Sequence, residues 1–282
     1  ARCHPLTPKP APGMPRKSVS NFFINFAKNF PEMDIRQINI DDFRKARSLY
    51  LIGRGIEPDV PVTAALIDMD GVLYDSMPLH ARAWQKMMAL QGVHTTVDEF
   101  FLYEGMTGAA TIDLIFRRAY GRNADPEEAR RLYAIKSDYF KSFGAKPTMQ
   151  GADRMIRALQ RLGMRRVLVT GSGQASLIQA INHDYPGAFA DTDRITANDV
   201  SRGKPDPEPY LRGLAIAGTR PENTIVIENA PLGVRAGVAA GCFTIAVTTG
   251  PIPREAFVKE KANLIFDSMP GFADFLETLE CR

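Results

Sequence analysis

Cysteine, long apolar runs and a net excess of charge are all scarce in this chain. The cysteines Cys3, Cys242 and Cys281 stand far apart in no metal-ligand spacing, which predicts free thiols in a reducing, cytoplasmic setting. No apolar run approaches the roughly 18 residues of a membrane span, so no membrane partner is expected. Basic side chains number 35 and acidic ones 32, a balance too even to call for nucleic acid or an anionic membrane surface. Acid is missing altogether before Glu32, from a proline-rich stretch that opens "ARCHPLTPKPAPGMPRKS". Two readings of it stand. One is a basic transit peptide. The other is a disordered tail or misassigned start, with Met14 or Met33 as the initiator.

What is present is a regular alternation. A chain of 282 residues with 45% hydrophobic content has room for one large domain or two smaller ones. After a short amphipathic helix in "DDFRKARSLYLIG" and the linker "EPDVPV", short apolar runs read as buried strands: "VTAALID", "RRVLVTG", "NTIVIEN", "CFTIAVTTG" and "ANLIF". Helical stretches separate them: "GADRMIRALQRLG", "QASLIQAINHD", "DPEPYLRGLAIAG" and "PLGVRAGVAAG". This pattern predicts an α/β fold with a Rossmann-like parallel sheet covered on both faces. Residues 77–146 break it, with four helical segments and no strand. The expected organisation is an N-terminal extension over residues 1–60, a core of 61–76 and 147–282, and an inserted α-helical cap over 77–146. Gly233, Gly237 and Gly241 are expected to serve close helix–sheet packing.

The first strand runs into Asp68 and Asp70. Two carboxylates at i and i+2 point the same way and repel, which raises one pKa unless a cation relieves it. Mg²⁺, which takes one or two carboxylates together with substrate phosphate, is the expected cation. One carboxylate would then serve as nucleophile and metal ligand, the other as acid and base.

Three further elements follow predicted strands. "VLVTGSG" offers Thr170, Gly171 and Ser172, a hydroxyl and backbone N–H groups that could cradle a phosphoryl group. "RGKPDPEPY" carries Lys204, whose ammonium could neutralise nucleophile and phosphate together. "IVIENAPLGV" leaves its strand with Glu228 and Asn229, whose oxygens suit a hard cation. Each element by itself also reads as an ordinary turn, helix start or cap. All four in this order, each at a strand end, do not read as coincidence.

The set resembles the haloacid dehalogenase superfamily of phosphohydrolases, in its β-phosphoglucomutase-like branch, over roughly residues 62–280. The resemblance implies that Asp68 is the nucleophile forming an aspartyl-phosphate. It implies that Asp70 is the general acid and base, its backbone carbonyl a metal ligand, and that Thr170 and Lys204 bind phosphate. Asn229 stands where the family's motif usually has a second acid, with one negative charge fewer. Asp70, which metal-free dehalogenases lack, favours phosphoryl transfer over dehalogenation.

The branch's mutases grip a distal phosphate with a cap arginine. Gly108 and Ala109 fall in its place here, and Glu104 precedes the turn in "YEGMTGAAT". This acidic cap resembles a subgroup with inorganic pyrophosphatase activity, so the expected substrate is a small phosphorylated compound, pyrophosphate first. The alternatives are a sugar-phosphate phosphatase or a β-phosphoglucomutase, the latter needing another cation such as Arg82, Lys86 or Arg117. An alternative of another class is a catalytically inactive binding or regulatory protein. His80 and Trp84 match cap-helix positions of the branch and lie four apart on one helix face. Asp75 and Ser76 are expected at the hinge.

Overall fold

The strands form where the apolar runs lie. Ala64–Ile67 (β1) is four residues, all fully buried. It pairs in parallel with Arg165–Val169 (β2) on one side and Thr224–Glu228 (β4) on the other, Leu66 standing opposite both Val167 and Val226. In this computed structural model, which describes residues 38–280 apart from residue 174, Arg194–Ile195 (β3), Phe243–Val247 (β5) and Leu264–Phe266 (β6) complete the sheet. The strand order is β3-β2-β1-β4-β5-β6, parallel throughout. Strands buried on both faces gain from β-branched and aliphatic side chains everywhere, which is why these segments read as continuous apolar runs.

Side chains alternate between two cores. Ala65 and Ile67 face a cluster with Met155, Phe243 and Phe272, and Ala64 and Leu66 face another with Tyr210, Leu214 and Val226. The first face is covered by Ala152–Arg161 (α6) and Met269–Glu280 (α11), the second by Glu208–Ala217 (α8) and Pro231–Ala239 (α9). Ala175–Asp184 (α7) and Arg254–Lys259 (α10) fill the remaining connections. Ile40–Ile52 (α1) starts in an Asn39–Asp42 capping box and packs onto the first core. Phe43 lies edge-on to Phe243 at 5.7 Å, and the Tyr50 hydroxyl donates to the Gly241 carbonyl at 2.6 Å. β3, α10 and α11 are not legible in the sequence. A two-residue strand has no period, and Pro270 and Gly271 read as breakers although Pro is tolerated in a first helical turn.

Between β1 and β2 the chain inserts four helices: Met77–Leu90 (α2), Val97–Leu102 (α3), Gly108–Tyr120 (α4) and Pro126–Ser142 (α5). Thr96, Thr107 and Asp125 cap three of them through side-chain oxygens. Their apolar stripes meet in a cluster containing Met87, Phe100, Ile112, Ile115 and Leu132, which runs on into the α/β part through Val234, Ala246, Phe257 and Ile265. Entry and exit run side by side. Asp75 N–H donates to the Pro147 carbonyl and Met149 N–H to the Leu73 carbonyl, at 2.9 and 2.8 Å. No helix among the described residues is long and apolar enough to cross a membrane. Cys242 is a buried free thiol. Cys3, Cys281 and the N-terminal stretch with Met14 and Met33 lie outside the described residues.

Candidate active site

In an open parallel sheet of this order, loops diverge beside β1 at the carboxyl ends and leave a crevice there. Asp68 is the first residue past β1, and its N–H still joins the ladder, donating to Ile227 O at 3.1 Å. Two residues on, the chain must turn. Gly71 does so with φ +79°, and a Cβ there would stand 1.8 Å from the Asn229 side chain. Glycine is required on both counts. The turn leaves Asp68 and Asp70 buried side by side, 4% and 8% exposed.

Lys204 is enclosed completely. Its ammonium donates to Asp68 Oδ1, to Glu228 Oε1 at 2.6 Å and to the Val169 carbonyl at 3.1 Å. All three of its protons are thereby used. Burial opposes the charge, but Asp68 and Glu228 outweigh it and hold the lysine protonated, above its ordinary range. Burial, helped by Glu228, pushes the Asp68 carboxyl well up despite Lys204.

Glu228 was expected to reach a metal, and here the structure differs. Its Oε1 accepts from Lys204 and Tyr210, and its Oε2 from the N–H groups of Asn229 and Ala230 at 3.0 and 3.1 Å. With four donors on two oxygens, no lone pair is left for an ion. Glu228 anchors Lys204 instead.

Asp70 is served by a separate chain of groups. The Ser76 hydroxyl donates to Asp70 Oδ1, and His80 Nε2 lies 3.0 Å from the same oxygen. His80 Nδ1 in turn lies 2.5 Å from Nζ of Lys136. While Lys136 is charged it offers only protons, so Nδ1 then accepts, and the imidazole proton sits on Nε2 and points at Asp70. Burial pushes Asp70 up, but His80, Ser76 and Lys136 overcome it and hold the carboxyl below its ordinary range. Burial and the neighbouring lysine lower His80, keeping the ring neutral. Burial brings Lys136 down to about 7. Phe140 stacks on His80 at 3.9 Å, and the Trp84 ring lies 5.2 Å from Nζ of Lys136. Trp84 thus belongs to the wall around this lysine.

Sequence reasoning missed Lys136. The signal was its phase: Ala129, Leu132, Lys136 and Phe140 form the buried stripe of α5. Arg82, Lys86 and Arg117, the cations expected to serve a mutase, are exposed. The first two point away from the face of α2 that buries His80, Ala81 and Trp84.

The remaining expected residues converge on the same cavity, of about 50 Å³, which Asp68, Asp70, Glu104, Thr170, Gly171 and Ser172 line. Thr170 Oγ1 accepts the Ser172 N–H at 2.9 Å, fixing the turn after β2. The insertion presses close: a Cβ on Gly171 would meet the Gly105 carbonyl at 2.4 Å. Glu104 is 6% exposed and accepts from Asn229 Nδ2 at 2.7 Å. Burial raises its carboxyl well above the usual range.

That bond leaves Asn229 Oδ1 buried without a hydrogen-bond partner. A buried carbonyl oxygen lacking a donor, next to carboxylates that repel, fits a hard divalent cation. No three His, Cys, Asp or Glu side chains among the described residues form a metal-holding group. An ion here would therefore rest on Asp68, the Asn229 amide oxygen and backbone or substrate oxygens.

Comparison with known proteins matches residues 62–241 to the haloacid dehalogenase-like hydrolases. The chain belongs to that family. The matched span begins before β1 and contains every site residue described above. Hexitol phosphatase A of Escherichia coli is 34% identical over 184 residues, 64% of this chain and 81% of the relative. Glycerol-1-phosphate phosphohydrolase 2 of Saccharomyces cerevisiae is 31% identical over 198 residues, 67% of this chain and 75% of the relative. A solved structure described as a putative β-phosphoglucomutase from Bacteroides vulgatus superposes with TM-score 0.81 at 44% identity, covering 86% of this chain and 98% of its own. Together with these phosphatase relatives, the family match supports a phosphohydrolase. Pyrophosphatase activity finds no support in these relatives, whose names point to phosphorylated polyols and sugars.

Proposed function

We propose that this phosphohydrolase cleaves the phosphate monoester of a small sugar or polyol through an aspartyl-phosphate on Asp68. The observation that carries the reading is the Asp68–Lys204–Glu228 array placed beside Asp70 at the carboxyl end of β1. In the first half, an Asp68 oxygen attacks phosphorus, the P–O bond to the ester oxygen breaks, and Asp70 gives that oxygen a proton. In the second half, Asp70 takes a proton from water as the water oxygen attacks phosphorus. The bond to Asp68 then breaks and phosphate leaves. Ser76 and His80 favour the ionised Asp70 that the second half needs, at some cost to the first. Lys204 lies against the attacking carboxylate, where it can offset charge on the phosphoryl oxygens.

Asp68, the Asp70 carbonyl and Asn229 are proposed to hold Mg²⁺, which when bound supplies electrostatic stabilisation of the transferring phosphoryl group. The helical insertion is proposed as a cap. The paired segments at Asp75 and Pro147 are proposed as the hinge on which it opens to admit an ester, since the cavity of about 50 Å³ is far below the roughly 300 Å³ of ordinary ligand sites.

A second reading, pyrophosphate, is favoured by one observation: the cavity is small and Glu104 lines it. The test is phosphate release with Mg²⁺ from a hexitol phosphate, glycerol 1-phosphate, glucose 1-phosphate, glucose 6-phosphate and pyrophosphate, compared by kcat/KM. The expected result is preference for an ester, abolished by Asp68→Asn. Preference for pyrophosphate, lost in Glu104→Ala, would replace the first reading with the second. Turnover that survives Asp68→Asn would overturn both.

A further inference from the structure

Tyr133 lies on α5 one turn before Lys136, half-buried, at the wall of the cavity. Its ring rests on Gly108, the first residue of α4. A Cβ on Gly108 would stand 2.2 Å from Cδ2 and 2.3 Å from Cε2 of that ring. No side chain fits at 108 while the tyrosine keeps its place. The hydroxyl of Tyr133 accepts the N–H of Gly173 at 3.1 Å. The ring is therefore held at both ends, against the insertion at Gly108 and against the core loop that follows β2. Trp84 supports it from the side, with ring centroids 6.1 Å apart.

We propose that Tyr133 is a specificity-determining residue that sets how long a substrate this site admits. The inference rests on the phosphohydrolase reading, since it names the size class of that site's substrate. The physical argument has two parts. First, the ring occupies the space beside Gly108, so a leaving group reaching that way must displace an aromatic side chain tied down by Gly173. Second, a phenol presents a ring face and a neutral hydroxyl. A second phosphate brought against it would lose water without gaining a charge from the ring itself, which is costly; the nearby cation, Lys136, lies 5.6 Å from the ring centroid and is set against His80. Compact monophosphates are accepted on both counts, and long esters and bisphosphates are disfavoured.

The proposal is tested with inorganic phosphate, glycerol 1-phosphate, a hexitol 6-phosphate and glucose 1,6-bisphosphate, all with Mg²⁺. Binding is measured on the full chain carrying Asp68→Asn, with and without Tyr133→Ala, and kcat/KM for the three esters on chains that keep Asp68. Tyr133→Ala is expected to shift the ratio of long to short compounds tenfold or more toward the long ones. A ratio taken within one variant is unaffected by the fraction folded. Tyr133→Phe, which keeps the ring, is expected to hold the wild-type ratio within about threefold. Gly108→Ser is expected to weaken binding in the parent and to be relieved by Tyr133→Ala, as coupled neighbours require.

An unchanged ratio in Tyr133→Ala, or Gly108→Ser equally harmful in both backgrounds, would overturn the role of Tyr133. Binding with the expected ratios but no turnover would overturn the phosphohydrolase reading and leave that role standing. Turnover with unchanged ratios would do the reverse, and failure of every phosphate compound to bind would overturn both.

Discussion

The ammonium of Lys136 lies 2.5 Å from Nδ1 of His80, inside an aromatic wall that includes Phe140 and Trp84. Through His80 this lysine reaches Asp70 without touching it, so a residue on the fifth helix, in its charged form, holds the imidazole proton on the nitrogen that faces the proposed acid and base. Replacing it with Met keeps the shape and removes the donor. Lys136→Met is expected to lower kcat by about ten- to a hundredfold, the scale of a mispositioned acid–base group, with a smaller change in KM. An unchanged kcat in steady-state assays would show that His80 needs no such support.

The same lysine predicts a pH dependence of stability. Its ordinary value is 10.5, and burial lowers it to about 7 in the fold. Between those values the unfolded chain binds more protons than the folded one, so stability rises with pH across the window and falls toward acid. Against Lys136→Met, the wild-type chain is expected to gain on the order of a few kcal/mol between pH 7 and pH 9. Urea unfolding at a series of pH values reads this directly. Parallel curves for the two chains would contradict it.

Lys204 and Glu228 make a buried pair in which both partners are fully enclosed. Lys204→Met leaves Glu228 charged and without its ammonium, at an expected cost of about 3–5 kcal/mol. Turnover should vanish with it. Adding Glu228→Gln should recover part of the stability and none of the activity. Thermal unfolding of the single and double variants separates the two effects. If the single variant is as stable as wild type, Glu228 does not depend on the lysine.

Asn229 couples the insertion to the proposed metal site through its two side-chain atoms. Nδ2 is spent on Glu104, and Oδ1 is buried without a donor. Asn229→Asp adds a carboxylate where a cation is proposed and removes the amide N–H that donates to Glu104. Half-saturation by Mg²⁺ is expected to fall about tenfold, by charge count in an oxygen-ligand site. A Mg²⁺ titration of activity that does not move would place Asn229 outside the metal's reach.

Gly71 is a stability probe of the same corner. A side chain there faces both φ +79° and an atom 1.8 Å away. Gly71→Ala is expected to cost about 1–3 kcal/mol in backbone strain, plus displacement of Asn229. A combined loss of stability and of Mg²⁺ dependence would confirm the link between turn and site.

The alternation of apolar runs with helices, and the residues standing just past each run, are properties of the chain itself. They determined the parallel sheet, the helical insertion between β1 and β2, and the positions of Asp68, Asp70, Thr170, Lys204 and Asn229. Strand and helix periods are local, and the carboxyl end of a parallel strand is a site wherever the strand lies. What only the tertiary structure decided depends on which helix faces meet. Lys136 reads as one more charge on a helix until the packing of α2 on α5 sets it against His80. Glu228 reads as a ligand until Tyr210 and two backbone N–H groups claim its oxygens along with Lys204. Tyr133 reads as an ordinary aromatic until Gly108 is found beneath its ring. These roles depend on distance between groups remote in sequence and on burial that removes water, and neither is written in the spacing of residues along a chain.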